Sequence, residues 1–260
     1  MQKNIYIFAC NNILQTMQRL IFFIGIAILF CSCGTSYYYV RLDTSSPDMK
    51  RIENGNFVIK DDSVELTYSF CGENAPAEIN IHNKMKRTLY IDWTKSYVGI
   101  NQSDSATIRL GQDGDGPTSI APESEFRKII FNLPDLNSRL EKIAMSRFKP
   151  KRMFLNNGDA VTMSTVNYTA KNTPYYFNCL LSLHLGSPEA EASITQNNFF
   201  VTRVAKADNV NPDKLIVYTL RRGDSFYTKR EFGRKFGRVF GETGQVLILA
   251  GAITLGIFLL

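Results

Sequence analysis

With two histidines and one tryptophan in 260 residues, the chain has few of the side chains that most often do chemistry near neutral pH. Neither histidine, His82 or His184, stands beside an evident nucleophile, which argues against a Ser-His-Asp arrangement. No HExxH segment, paired Cys-x-x-Cys motif or glycine-rich phosphate loop occurs. Zinc and nucleotide chemistry therefore have no footing, and neither a metal nor a cofactor is implied. The oxygen-rich loop Asp113-Gly114-Asp115-Gly116 lacks the downstream Glu of a calcium loop and reads as a turn. Also missing is any uninterrupted apolar run long enough for a comfortable helical membrane crossing.

The chain does carry a net charge of +6, concentrated at its ends. Residues 1–33 hold Lys3 and Arg19 and no acid. Residues 34–220 balance 21 basic against 21 acidic side chains, and residues 221–244 hold seven basic against three acidic. A neutral body argues against a nucleic-acid partner, because phosphate-backbone binding draws on a basic face.

From Leu20 to Phe30 run eleven apolar residues, preceded by Arg19 and followed by Cys31-Ser32-Cys33-Gly34. This is the charge, apolar core and small-residue order of a secretory signal. The first sixteen residues fit it poorly, and translation from Met17 in place of Met1 gives a more compact signal. The segment FCSCG resembles a bacterial lipoprotein signal, which implies acyl groups on Cys33. Cys31 is the alternative modified residue, and an uncleaved anchor helix is the alternative to processing.

At the other end, Val246 to Leu260 contains no charge. A helix of this length covers about 22 Å of a hydrocarbon core near 30 Å, a marginal span. Ala252 and Gly256 have the small-xxx-small spacing of closely packed membrane helices, and a buried core helix is the alternative. Just before it stands KREFGRKFGRVFG, where Phe232, Phe236 and Phe240 recur every four residues among Arg230, Arg234, Lys235 and Arg238. On a helix this pattern makes an aromatic stripe flanked by cations, suited to anionic lipid headgroups. A solvated basic linker is the alternative. Placed beside an exported body, the basic cluster runs against the positive-inside tendency. Inner or outer membrane, and whether residues 245–260 cross at all, stay open.

Between residues 56 and 220 the apolar side chains follow a period of two, the mark of half-buried strands. Candidates are Val64 to Phe70, Ile79 to Ile81, Leu89 to Trp93, Tyr97 to Ile100, Ala106 to Leu110, Val161 to Tyr168, Tyr175 to Leu185 and Phe199 to Ala205. Pro134 opens an amphipathic segment through Leu136, Leu140 and Ile143 that predicts a helix of about three turns before Lys149-Pro150. The fold class expected is mainly β, an antiparallel sandwich with one inserted helix and hydrophobic helical segments at both termini. Parity places Trp93 in the core and both histidines on exposed faces. An exported domain permits a disulfide between Cys71 and Cys179, but their strand parities differ, and two buried or semi-buried thiols are the state expected. Arg222-Gly223-Asp224 spells an integrin-binding tripeptide by chance.

Three segments carry a family resemblance: PAEINIHNKMKRTLYIDWTKSYVGIN, NNFFVTRVAK at residues 197–206, and Cys33-Gly34-Thr35-Ser36-Tyr37. They resemble uncharacterised lipoproteins of the Bacteroidetes group. The resemblance implies an exported, immunoglobulin-like domain in the bacterial cell envelope and no reaction. The inserted helix and apolar tail depart from that pattern. The chain accordingly divides into a leader (1–33), a linker (34–55), a β-sandwich domain (56–220), a basic juxtamembrane segment (221–244) and an apolar end (245–260). The function expected is a membrane-anchored, non-catalytic binding or scaffolding module whose partners are anionic lipid and envelope proteins. A subunit of a membrane secretion or transport assembly is the alternative, and an enzyme with an unfamiliar site a third.

Overall fold

The computed structural model describes residues 35–100, 106–112, 114–133, 136–208, 210–215 and 221–231. Ser36–Arg230 forms one compact unit; the other unit, Met1–Thr35 with Glu231–Leu260, lies outside the described residues except for Thr35 and Glu231. Among the described residues, two sheets make up most of the unit. The smaller contains β2 (Lys50–Arg51), β3 (Phe57–Lys60), β4 (Val64–Ser69), β6 (Pro76–Asn83) and β10 (Glu125–Asn132), in the order β10-β6-β4-β3-β2. The larger contains β1 (Thr35–Thr44), β5 (Gly72–Glu73), β7 (Leu89–Ile100), β8 (Ala106–Arg109), β13 (Tyr176–Leu185), β14 (Ala192–Asp208) and β15 (Ser225–Glu231), in the order β5-β15-β1-β14-β13-β7-β8. β9 (Thr118–Ile120) joins it on β7, and the hairpin of β11 (Lys149–Phe154) and β12 (Ala160–Asn167) joins through β12 on β14. Among the described residues the paired strands run antiparallel except for a two-residue parallel pairing of β5 with β15.

Alternation explains how the sheets meet. In β4, Val64, Leu66 and Tyr68 turn inward, as do Ala77, Ile79 and Ile81 in β6 and Phe177, Cys179, Leu181 and Leu183 in β13. These residues share one core with Val40 and Leu42 of β1 and Phe199 and Val201 of β14. Phe199 is its hub, with ring centroids 5.4 Å from Phe57, 5.3 Å from Tyr68, 5.0 Å from Phe70 and 5.2 Å from Phe177. Tyr68, Phe57 and Phe70 come from one side of that core and Phe177 and Phe199 from the other, so the rings join the two sheets. Phe57, Tyr68 and Phe70 meet Phe199 edge-on and Phe177 stacks on it; such pairs add about 0.5–1.5 kcal/mol each beyond area burial.

The 17 residues of β14 form the spine of the large sheet. One edge pairs with β1 from Phe199 to Asp208; the other pairs with β13 as far as Phe200 and then with β12 from Arg203 to Lys206. A second, smaller core gathers Tyr39, Met163, Ala205, Ala207 and Leu215, with Met153, Leu155, Val161 and Val210 packed against it.

Several expectations change. The predicted linker, 34–55, includes β1, an interior strand of the large sheet, as well as β2. Residues 225–231, expected within a juxtamembrane segment, form β15. The three-turn helix is a six-residue helix, α1 (Leu136–Glu141), followed by a tight turn at Met145–Arg147. The two strands expected at Leu89 to Trp93 and Tyr97 to Ile100 are one strand, β7. It carries a bulge: Leu180 pairs with Tyr97 and Ser182 with Asp92, so Trp93 to Ser96 stand opposite Leu181 alone. Inward parity shifts from odd residues before the bulge to even residues after it. Among the described residues no helix is long and apolar enough to cross a membrane; the expected terminal helices lie outside them.

Candidate functional site

A polar cluster surrounds the tripeptide read as accidental. The Asp224 side chain is fully buried, and Arg41 Nε lies 3.0 Å, Arg222 Nε 3.2 Å and Arg51 Nη1 3.6 Å from its carboxylate. Ser225 Oγ donates a further bond at 3.0 Å. Burial alone raises the carboxyl, but the Arg222 hydrogen bonds and the Arg41 and Arg222 charges outweigh it and hold it below its usual range. Backbone bonds lock the cluster: Leu42 N donates to Asp224 O at 2.8 Å, Phe70 N to Gly223 O at 2.8 Å and Gly223 N to Asn54 O at 3.1 Å. Gly55, at φ +83°, leaves room for the carboxylate, since a β-carbon there would lie 2.6 Å from Asp224 Oδ1. With its lone pairs occupied, Asp224 is a structural clasp joining β1, the β2–β3 turn and β15. The turn at Ile52, Glu53 and Asn54 and the Arg222 side chain bound an open hollow beside it. Charges spread from residue 41 to residue 224 leave no local sequence signal for such a cluster.

His184 and Asp92 are also held by hydrogen bonds. His184 is buried, not exposed as its parity predicted: its Nδ1 lies 2.7 Å from Ala190 O and its Nε2 3.4 Å from Ser182 Oγ. That second distance is long for a nucleophile and its base, and both side chains are closed to solvent. His82 is half-buried, between Glu65 of β4 and Glu125 of β10 across the ladder. Asp92 closes the β7 bulge, accepting from Thr94 N, Thr94 Oγ1 and Lys95 N. Burial raises its carboxyl, but these bonds prevail and hold it low. Trp93 sits in the core as expected, with Nε1 donating to Thr118 Oγ1 at 2.8 Å and Lys128 Nζ 4.6 Å above the ring.

Cys71 and Cys179 are both free thiols, the state their differing strand parities favoured. Their surroundings differ. Cys71 lies on the crossing from β4 to β5, raised chiefly by burial and influenced by Arg221 and Asp224, whereas Cys179 faces Tyr68 in the core and is pushed up to about 12 by burial. Among the described residues no group of three His, Cys, Asp or Glu side chains is placed to hold a metal. Between the sheets a cleft of about 130 Å³ has apolar walls of Ile59, Leu66, Leu183 and Leu185 and a rim of Asp61, Ser63, Ser193 and Thr195. Small-molecule sites usually need about 300–1,000 Å³.

The remaining expected site residues belong to the chain ends. Arg230 lies in β15, while Cys33, Phe232, Arg234, Lys235, Phe236, Arg238 and Phe240 lie outside the described residues. The strands leading to them can be placed. Leu42 bonds to Asp224, and further back along β1 the Tyr37 ring meets that of Tyr227 at 6.3 Å, so β1 and β15 run in opposite directions side by side. Ser36 and Arg230, the first and last residues of the unit, therefore stand at the same end of neighbouring strands.

Family models, curated proteins and solved structures give no match to this chain.

Proposed function

We propose that the protein is a cell-envelope lipoprotein with an exported β domain, held at a membrane by acyl groups on Cys33 and by the basic and apolar C-terminal residues. The domain acts as a non-catalytic binding or scaffolding module. In this reading the two facing sheets form an immunoglobulin-like sandwich, enlarged by the β11–β12 hairpin and the β5–β15 pairing. One observation carries it: the unit begins and ends at one place, Ser36 beside Arg230. Cys33 is three residues before Ser36 and Phe232 two after Arg230. Lipid on Cys33 and the cations from Arg230 onward thus act on one surface, the two-signal arrangement that stable anchoring needs. The structural roles of Asp224, Asp92 and His184, each held by hydrogen bonds, favour binding over catalysis.

Fractionation tests this reading. Cys33→Ala, or blocking of lipoprotein signal processing with globomycin, is expected to leave an unprocessed precursor or release the protein from membranes. Normal processing and full membrane retention of Cys33→Ala would overturn it.

A further inference from the structure

The end of the large sheet from which both chain ends leave carries more than two exits, and we propose that it docks on an anionic lipid surface through the β11–β12 hairpin. This rests on the membrane-anchored reading and adds to it a contact made by the folded domain itself.

Strand register places the hairpin. Lys206 of β14 pairs with Tyr38 of β1 on one side and Ser164 of β12 on the other. From that row β1 runs back two residues to Ser36, and β12 runs back four residues in the same direction to Ala160, whose partner on β11 is Phe154. At about 3.3 Å per residue the hairpin tip stands roughly 7 Å beyond the level of Ser36, on the side where β15 also ends. The small core fixes it there: Met153, Leu155 and Val161 pack with Met163, Tyr39 and Leu215, and the Tyr39 hydroxyl donates to the Val210 carbonyl.

Charge is segregated along the same stretch. On the hairpin itself the strands hold three cations, Lys149, Lys151 and Arg152, and no acid, while the turn holds one acid, Asp159, so the balanced total of the body conceals a hairpin charge of +2. Arg139 and Arg147 lie over the rings of Tyr175 and Tyr168. Lys142, Lys149, Lys151 and Arg152 are exposed and hold no ion pair among the described residues. Phe154 is 59% exposed at the last pair of the hairpin, two residues from Arg152 and so on the same face of the strand. Lysines and a proline on an edge strand serve to block strand-to-strand aggregation, which accounts for Lys149, Pro150 and Lys151. It does not account for a bare aromatic ring at the tip. A ring at the acyl boundary with cations against headgroup phosphates satisfies both observations.

The test places the full-length chain, purified from membranes, on vesicles of phosphatidylcholine with and without phosphatidylglycerol, carrying Phe154→Trp. Trp93, buried in the core, serves as the internal reference. With brominated acyl chains in the anionic vesicles, emission of the introduced indole is expected to shift to shorter wavelength and fall roughly twofold, and to return to its buffer value in about 1 M salt. Adding Lys149→Glu, Lys151→Glu and Arg152→Glu removes the effect, each lost cation weakening contact about fivefold, while the circular dichroism spectrum stays that of the parent. An unquenched indole on chains that float with the vesicles overturns the docking face and leaves the anchored reading standing. Equal quenching on uncharged vesicles, or capture of the face by an oligonucleotide with no response to lipid, overturns it too. Failure of the unsubstituted chain to float on either vesicle overturns both.

Discussion

The two apolar cores of this unit are built differently. The larger is enclosed between sheets, and its aromatic hub touches four other rings, so each side chain is held from several directions. The smaller is assembled from β1, the far end of β14, Leu215 and one hairpin, with partly exposed Tyr37, Met153 and Tyr227 at its margin. Enclosure makes the first core the source of global stability, while the second positions a hairpin. Loss of packing in the first should unfold the unit, whereas loss in the second should loosen one element.

Phe199→Ala gives the sharpest break in that comparison. Removing the hub leaves a void facing Phe57, Tyr68, Phe70 and Phe177, and the expected cost is about 3–5 kcal/mol, read from denaturant unfolding. Asp224→Asn probes the clasp that ties β15 to β1. Arg41, Arg51 and Arg222 would face an uncharged amide, and breaking such a buried set costs about 3 kcal/mol or more. The carboxyl is held lower in the folded state than in the unfolded chain, so its stabilisation is complete above the unfolded value near about 4 and is lost as pH falls through the folded value. The stability gap between the parent and Asp224→Asn should therefore narrow from pH 7 toward about pH 3; a constant gap would show that the carboxylate charge contributes nothing. Met163→Ala, in the small core, should cost about 2 kcal/mol, the lower end for such truncations. Faster amide exchange should be confined to β11 and β12, and exchange spreading into β13 or β4 would erase the distinction between the cores.

The same contrast explains what the amino-acid sequence revealed. Strands with one face in the large core and one toward solvent, such as β4 with Val64, Leu66 and Tyr68, show plain alternation and were legible. β1 was not, because Tyr38, Val40 and Leu42 enter one core while Tyr39 enters the other, which erases the period of two. β11 is exposed along most of its length and shows no apolar rhythm. In β10 a register shift between Ile129 and Phe131 breaks the alternation. His184 followed the parity rule yet is buried beside Ala190, which the strand pattern does not register. The clasp depends on a topology that brings residues 41 and 224 together, and the excess of cations on β11 was hidden by summing charge over the whole body.

The placement of Ser36 beside Arg230 also has a mechanical consequence. A domain tethered through both of these residues and pulled from its far end loads β1 and β15 in the same direction, along their lengths. The β1–β14 ladder, with partners from Ser36 to Thr44, then resists as a block in shear, its bonds having to rupture together and not one after another. Exit of both tethers from one end of the sheet thus directs tension along the strands, where the ladder yields only as a whole.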